Sequence, residues 1–125
     1  MILKNSLYTI EKNEAEGSGW RFDISLHADH FIYQSHFPGQ PITPGACLIQ
    51  MAKELLEERL SLSLRIIRIK DVKFVSVISP LETPHITFHY QKVSDVSAEG
   101  EVSATVSVAD GERIYSSIVF TCKSC

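Results

Sequence analysis

The 125-residue chain has little of several things, and each scarcity excludes something. There are three cysteines, at positions 47, 122 and 125, an odd number that does not make a disulfide framework and that agrees with a reducing compartment. No apolar run approaches the span of a bilayer, and the opening Met1-Ile2-Leu3-Lys4-Asn5-Ser6 has no basic segment followed by an apolar one. We therefore expect a cytoplasmic protein with no membrane insertion. Basic charge is not in excess either: 12 Lys and Arg against 15 Asp and Glu leave a net charge of −3, interspersed and without a stripe to neutralise a phosphate backbone, so nucleic acid is not an expected partner; a local cluster of Arg65, Arg68, Lys70 and Lys73, only partly aligned by strand alternation, offers at most a weak docking place for an acidic carrier protein. Internal repeats, low-complexity tracts and long linkers are also lacking, so a single domain over 1–125 is expected.

What is present suits a folded domain. Hydrophobic residues at 44% and charged residues at 22% supply a core and argue against disorder. Trp20, Phe22, Ile24 and Leu26 alternate with Arg21, Asp23, Ser25 and His27, the period of a half-buried strand. An earlier strand over Ser6 to Lys12 is predicted to pair with it through a turn at Gly17-Ser18-Gly19. One helix is predicted after Gly45: Leu48, Met51, Ala52, Leu55, Leu56 and Leu60 fall on one stripe, with Gln50, Lys53, Glu54 and Glu57 opposite. Beyond Ser61 the pattern returns to strands, first Ile67 and Ile69, then Val72, Phe74 and Val77 up to a break at Ser79-Pro80. Three more follow, marked by Ile86, Phe88 and Tyr90, by Val102, Ala104, Val106 and Val108, and by Ile114, Ser116, Ile118 and Phe120. The fold class expected is α+β, an antiparallel sheet wrapped around one long central helix whose apolar stripe it buries.

The segment able to carry chemistry is His36-Phe37-Pro38-Gly39-Gln40-Pro41-Ile42-Thr43-Pro44-Gly45, which leads into the helix through Ala46 and Cys47. Its prolines forbid helix and make a rigid loop. Gly45 at the helix start has no side chain to keep a ligand from the backbone, and a helix N-terminus offers unpaired N–H groups suited to a carbonyl oxygen gaining negative charge. His36 is placed as a base beside that site. As a lone histidine it would read as structural; next to this loop and helix start, removal of a proton α to a thioester is the better reading.

The order and spacing of His36-Phe37-Pro38-Gly39, Pro41 and Pro44-Gly45 resemble the loop of the 3-hydroxyacyl-acyl-carrier-protein dehydratases, a hotdog-fold family, and Phe74, Pro80 and Gly111 fit its later strands and turns. The resemblance implies dehydration of 3-hydroxyacyl thioesters to trans-2-enoyl thioesters, in fatty-acid or related lipid or polyene synthesis. It implies His36 as the base, the N–H at Gly45 on the thioester carbonyl, and an acid helping the 3-hydroxyl leave. Phe37, Pro38, Gly39, Pro44 and Ala46 would bind substrate; Tyr33 would line an acyl tunnel or merely pack on the sheet. The family also implies a homodimer in which two long sheets join and each site draws on both chains.

The position of the family's Glu or Asp holds Gln50, and an amide can hydrogen-bond a hydroxyl but has no proton to give near neutral pH. Glu54, one turn further on, is a candidate substitute, or else a solvated or paired polar residue. Two alternatives accompany the dehydratase reading: a catalytically incomplete partner subunit of a heteromeric dehydratase, and a hotdog thioesterase. The substrate expected is an acyl-carrier-protein thioester, with no metal and no organic cofactor. Cys122 and Cys125 are read as an incidental pair, His85 and His89 as surface residues, His27 and His30 as structural or surface residues, and Cys47 as a buried thiol.

Overall fold

The computed structural model of the chain describes residues 2–35 and 39–125. The first two strands form a hairpin, β1 (Tyr8–Glu16) with β2 (Gly19–Leu26), turning at Gly17, whose φ of 59° suits glycine. β1 starts after the predicted Ser6 and runs past the predicted end at Lys12. A single turn, α1 (Ile32–Ser35), precedes the proline-rich loop.

The one long helix, α2 (Gly45–Leu60), begins directly after Pro44 and stops where Ser61 turns left-handed at φ 55° and donates its N–H to the Glu57 carbonyl. Then come β3 (Leu64–Phe74), β4 (His85–Val93), β5 (Glu101–Ala109) and β6 (Ile114–Ser124). The six strands form one antiparallel sheet in the order β1-β2-β4-β5-β6-β3, the hotdog arrangement expected.

The core lies between helix and sheet. Leu48, Met51, Ala52, Leu55 and Leu56 of α2 belong to one buried cluster with Phe22, Ile24, Ile86, Phe88, Val106, Ile118 and Phe120. Tyr90 spans the two layers, its hydroxyl donating to the Ala52 carbonyl at 2.5 Å. Burial raises the pKa of this phenol well above its ordinary value, so it remains a donor at any physiological pH.

Three sequence expectations are corrected. The two strand fragments read between Ile67 and Val77 are one strand, ending at Phe74, and its pairing with β6 slips between Ile66 and Arg68 and again between Ile69 and Asp71. These irregularities break the two-residue period and let Ile67 and Ile69 face outward. Ile114, read as part of an inner face, is exposed. Glu54, placed on the polar side of the helix, is buried at 7% exposure, because the N-terminal segment covers that side.

Candidate active site

The start of α2 is held rigidly before any chemistry is considered. Thr43 donates its N–H to the Ile78 carbonyl at 2.8 Å, and its hydroxyl lies 3.0 Å from that of the buried Tyr33. Pro44 caps the helix in an extended conformation (φ −61°, ψ 143°) without a side-chain hydrogen bond. Its carbonyl accepts from Cys47 N–H at 3.0 Å and Leu48 N–H at 3.2 Å. The N–H groups of Gly45 and Ala46 have no acceptor among the described residues, and they stand at the positive end of a sixteen-residue helix.

A cleft of about 300 Å³ opens at this point, lined by Pro44, Gly45, Leu48, Phe74, Val77 and Ile78 among others. The sequence reading left Gly45 open for a ligand; the group that approaches it is the Phe74 ring. A Cβ on Gly45 would stand 2.5 Å from Phe74 Cζ, so the ring rests on the bare backbone of the helix start. Phe74 is itself 52% exposed, the last residue of β3 and the flank of the cleft.

Gln50 lies further along the helix and donates from Nε2 to Glu54 Oε2 at 2.8 Å. The same carboxylate accepts from Leu3 N–H at 2.8 Å, from Lys4 N–H at 2.8 Å and from the Tyr8 hydroxyl at 2.9 Å. Four donors occupy the acceptor sites of one carboxylate, which makes Glu54 the clasp that binds the N-terminal segment to the helix. The Tyr8 phenol is pushed far above its usual pKa, by burial first and then by the adjacent Glu54 charge. Gln50 also borders a groove of about 530 Å³ with Lys4, Lys53, Glu57 and Leu62.

The remaining candidates fall into place as follows. His36, Phe37 and Pro38 lie outside the described residues. Gly39, at φ 87°, and Ala46 are exposed, while Tyr33 packs in the core and rims a separate cleft of about 250 Å³ with Ala28, Pro41 and Leu81. Cys47 is buried, and burial pushes its thiol up despite its place in the first helical turn. Cys122 is buried and pushed up to about 12 by desolvation, whereas Cys125 is exposed.

His27 is structural, its ring nitrogens bonded to Thr9 and to the Ser6 carbonyl. The surface reading holds for His85; His89 is half-buried and bonds through Nδ1 to Glu16 at 2.7 Å. Among the described residues no group of three or more His, Cys, Asp or Glu could hold a metal ion, and no helix is long and apolar enough to cross a membrane.

The sequence reading missed the Thr43 tether, the seat of Phe74 and the clasp role of Glu54. The Leu3, Leu7 and Tyr8 apolar spacing was the available signal for a packed N-terminal segment.

Comparison with known proteins gives a family and a fold. A family model described as "ApeI-like: ApeI dehydratase" matches residues 11–112. Among solved structures, the dehydratase heterocomplex ApeI:P from Xenorhabdus doucetiae superposes with a TM-score of 0.64 at 14% identity, covering 92% of this chain and 96% of the other. An uncharacterised protein from Erwinia carotovora subsp. atroseptica gives 0.58 at 17% identity, covering 93% of each. At these identities the structural likeness establishes the fold. No curated protein matches the chain.

Proposed function

We propose, because the chain belongs to the ApeI-like dehydratase family, that it works as one half of a heteromeric dehydratase acting on 3-hydroxyacyl thioesters. The observation that carries this reading is the bond from Gln50 to Glu54. The residue at the acid position is an amide, and the adjacent carboxylate of Glu54 already accepts from four donors, so among the described residues no carboxylic acid is left free to give a proton there. A partner would bring the carboxylate; a relative solved as a dehydratase heterocomplex supports such pairing.

In this scheme the thioester carbonyl sits at the N–H groups of Gly45 and Ala46, where charge developing on oxygen is stabilised by the helix end. His36, assigned from its place in the loop motif, removes the α-proton. The partner's carboxylic acid gives a proton to the 3-hydroxyl, which leaves as water, and the Cα–Cβ double bond forms. Gln50 orients that hydroxyl. An acyl-carrier-protein thioester is the substrate that best fits the reading.

The test is interconversion of 3-hydroxyacyl and trans-2-enoyl thioesters by the purified chain, followed spectrophotometrically. The chain alone should be slow, and Gln50→Glu should gain about 10²- to 10⁴-fold. The gain should vanish when His36→Ala is added. Full turnover by the wild-type chain alone would overturn the heteromeric reading, and turnover unaffected by His36→Ala would overturn the role given to His36.

A further inference from the structure

Strand β3 is an outer edge of the sheet: among the described residues it pairs with β6 on one side and with no strand on the other. The other edge, β1, carries no large exposed apolar residue, and its Glu14 and Glu16 are already engaged by Lys12, Arg21 and His89. β3 differs on both counts. Ile67, Ile69 and Phe74 are exposed along it, and Val75 and Val77 continue the apolar surface past its end. A long free edge with apolar side chains is a template for another strand unless something guards it.

The guard is charge of one sign. Arg65, Arg68, Lys70 and Lys73 are all exposed and make no ion pair among the described residues, and against them stands Asp71 alone, a local excess of three positive charges in a chain of net charge −3. Their spacing is symmetric about Ile69, the midpoint of Leu64–Phe74. If a second copy paired antiparallel over the full strand, Arg65 would face Lys73 and Arg68 would face Lys70, each pairing made twice. Like charges placed directly opposite destabilise a strand pair.

We infer that β3 is a docking edge for a different hotdog chain whose own edge strand is acidic, and that its cations select that partner over a second copy of this chain. The inference rests on the heteromeric reading above and deepens it by naming the surface and the partner's chemistry. The apolar residues supply contact, the free backbone groups supply the ladder, and the charges decide which chain is accepted.

The chain can be tested against a charge-reversed copy of itself carrying Arg65→Glu, Arg68→Glu, Lys70→Glu and Lys73→Glu, with a mass tag, by native mass spectrometry. At low salt the ratio of mixed dimer to wild-type self-dimer should exceed its statistical value about tenfold. Absence of a mixed dimer, statistical mixing, or open-ended oligomers of the wild type through its acidic β1 edge would each overturn the inference.

Should the fourfold variant not fold, salt supplies the second arm. Self-association of the wild type should strengthen as sodium chloride rises from about 0.05 to about 0.5 M, because screening removes the repulsion. Unchanged or weakened self-association would count against charge selection. Both arms are read without substrate, so their failure leaves the dehydration result standing, and failure of that result leaves these standing.

Discussion

Gln50 and Glu54 are joined by a 2.8 Å bond whose direction is forced: an ionised carboxylate only accepts, so the amide must turn its nitrogen toward Glu54. The side chain at the acid position is thereby held from within the helix, one turn along, by a group that also holds the N-terminal segment.

Removing that clasp should cost stability before it costs chemistry. Glu54→Ala leaves the N–H groups of Leu3 and Lys4 and the Tyr8 hydroxyl without their acceptor, and should lower the unfolding free energy by roughly 2–4 kcal/mol. Glu54→Gln retains one acceptor oxygen and should lose about half as much. Urea denaturation at neutral pH measures both, and equal midpoints for wild type and Glu54→Ala would contradict the clasp.

Gly45→Ala separates packing from function. The added methyl meets the far end of the Phe74 ring, which can swing toward solvent, so stability should change by no more than about 1 kcal/mol. On the proposed function, turnover with the partner chain should fall, because the methyl and the displaced ring would stand where that proposal brings the thioester to the helix start. Phe74→Ala in the same chain should recover only the part of the loss that the ring causes. A thermal melt beside a turnover assay gives both readings.

The three thiols should differ in reactivity. At pH 8 an aromatic disulfide reagent should titrate the exposed Cys125 at once and spare Cys47 and Cys122, whose thiols are buried and pushed up, the latter to about 12. Unfolding in denaturant should release all three. Rapid labelling of Cys47 in the folded chain would mean that the helix end, not burial, governs it.

Asp23 gives the outer face a defined acid response. Burial alone would raise its pKa, but hydrogen bonds from Thr87 at 2.7 Å and Arg21 at 2.9 Å outweigh it, and the net value lies below the ordinary 3.8. A carboxyl with a depressed folded-state pKa contributes stability that is complete above the unfolded value and lost as pH falls through the folded one. Asp23→Asn should therefore destabilise by about 1 kcal/mol at pH 7, and the difference should shrink as the pH falls below 3.8. Urea midpoints across that range decide it.

How far the sequence could be read depended on how local the interaction was. Helix α2 was legible because Pro44 fixes its start and an unbroken stripe from Leu48 to Leu60 marks its length. The strands with regular alternation, such as Trp20 to Leu26, were legible for the same reason. β3 was not, since its two slips against β6 exist only in the pairing and leave a sequence that resembles two fragments. At the site, the helix start and Gln50 could be found by position along the chain. The burial of Glu54 could not, because its partners at Leu3, Lys4 and Tyr8 arrive from the far N-terminus. Nor could the ring over Gly45, which depends on where β3 ends in space.

Phe74 belongs at once to the docking edge and to the roof of the helix start. A ligand that shifts the ring to reach the Gly45 N–H alters the surface a neighbouring chain would touch, and a neighbour that fixes the ring alters the room left for a ligand. Thermodynamic reciprocity then requires that occupancy of the cleft and assembly of the complex strengthen or weaken one another by the same factor.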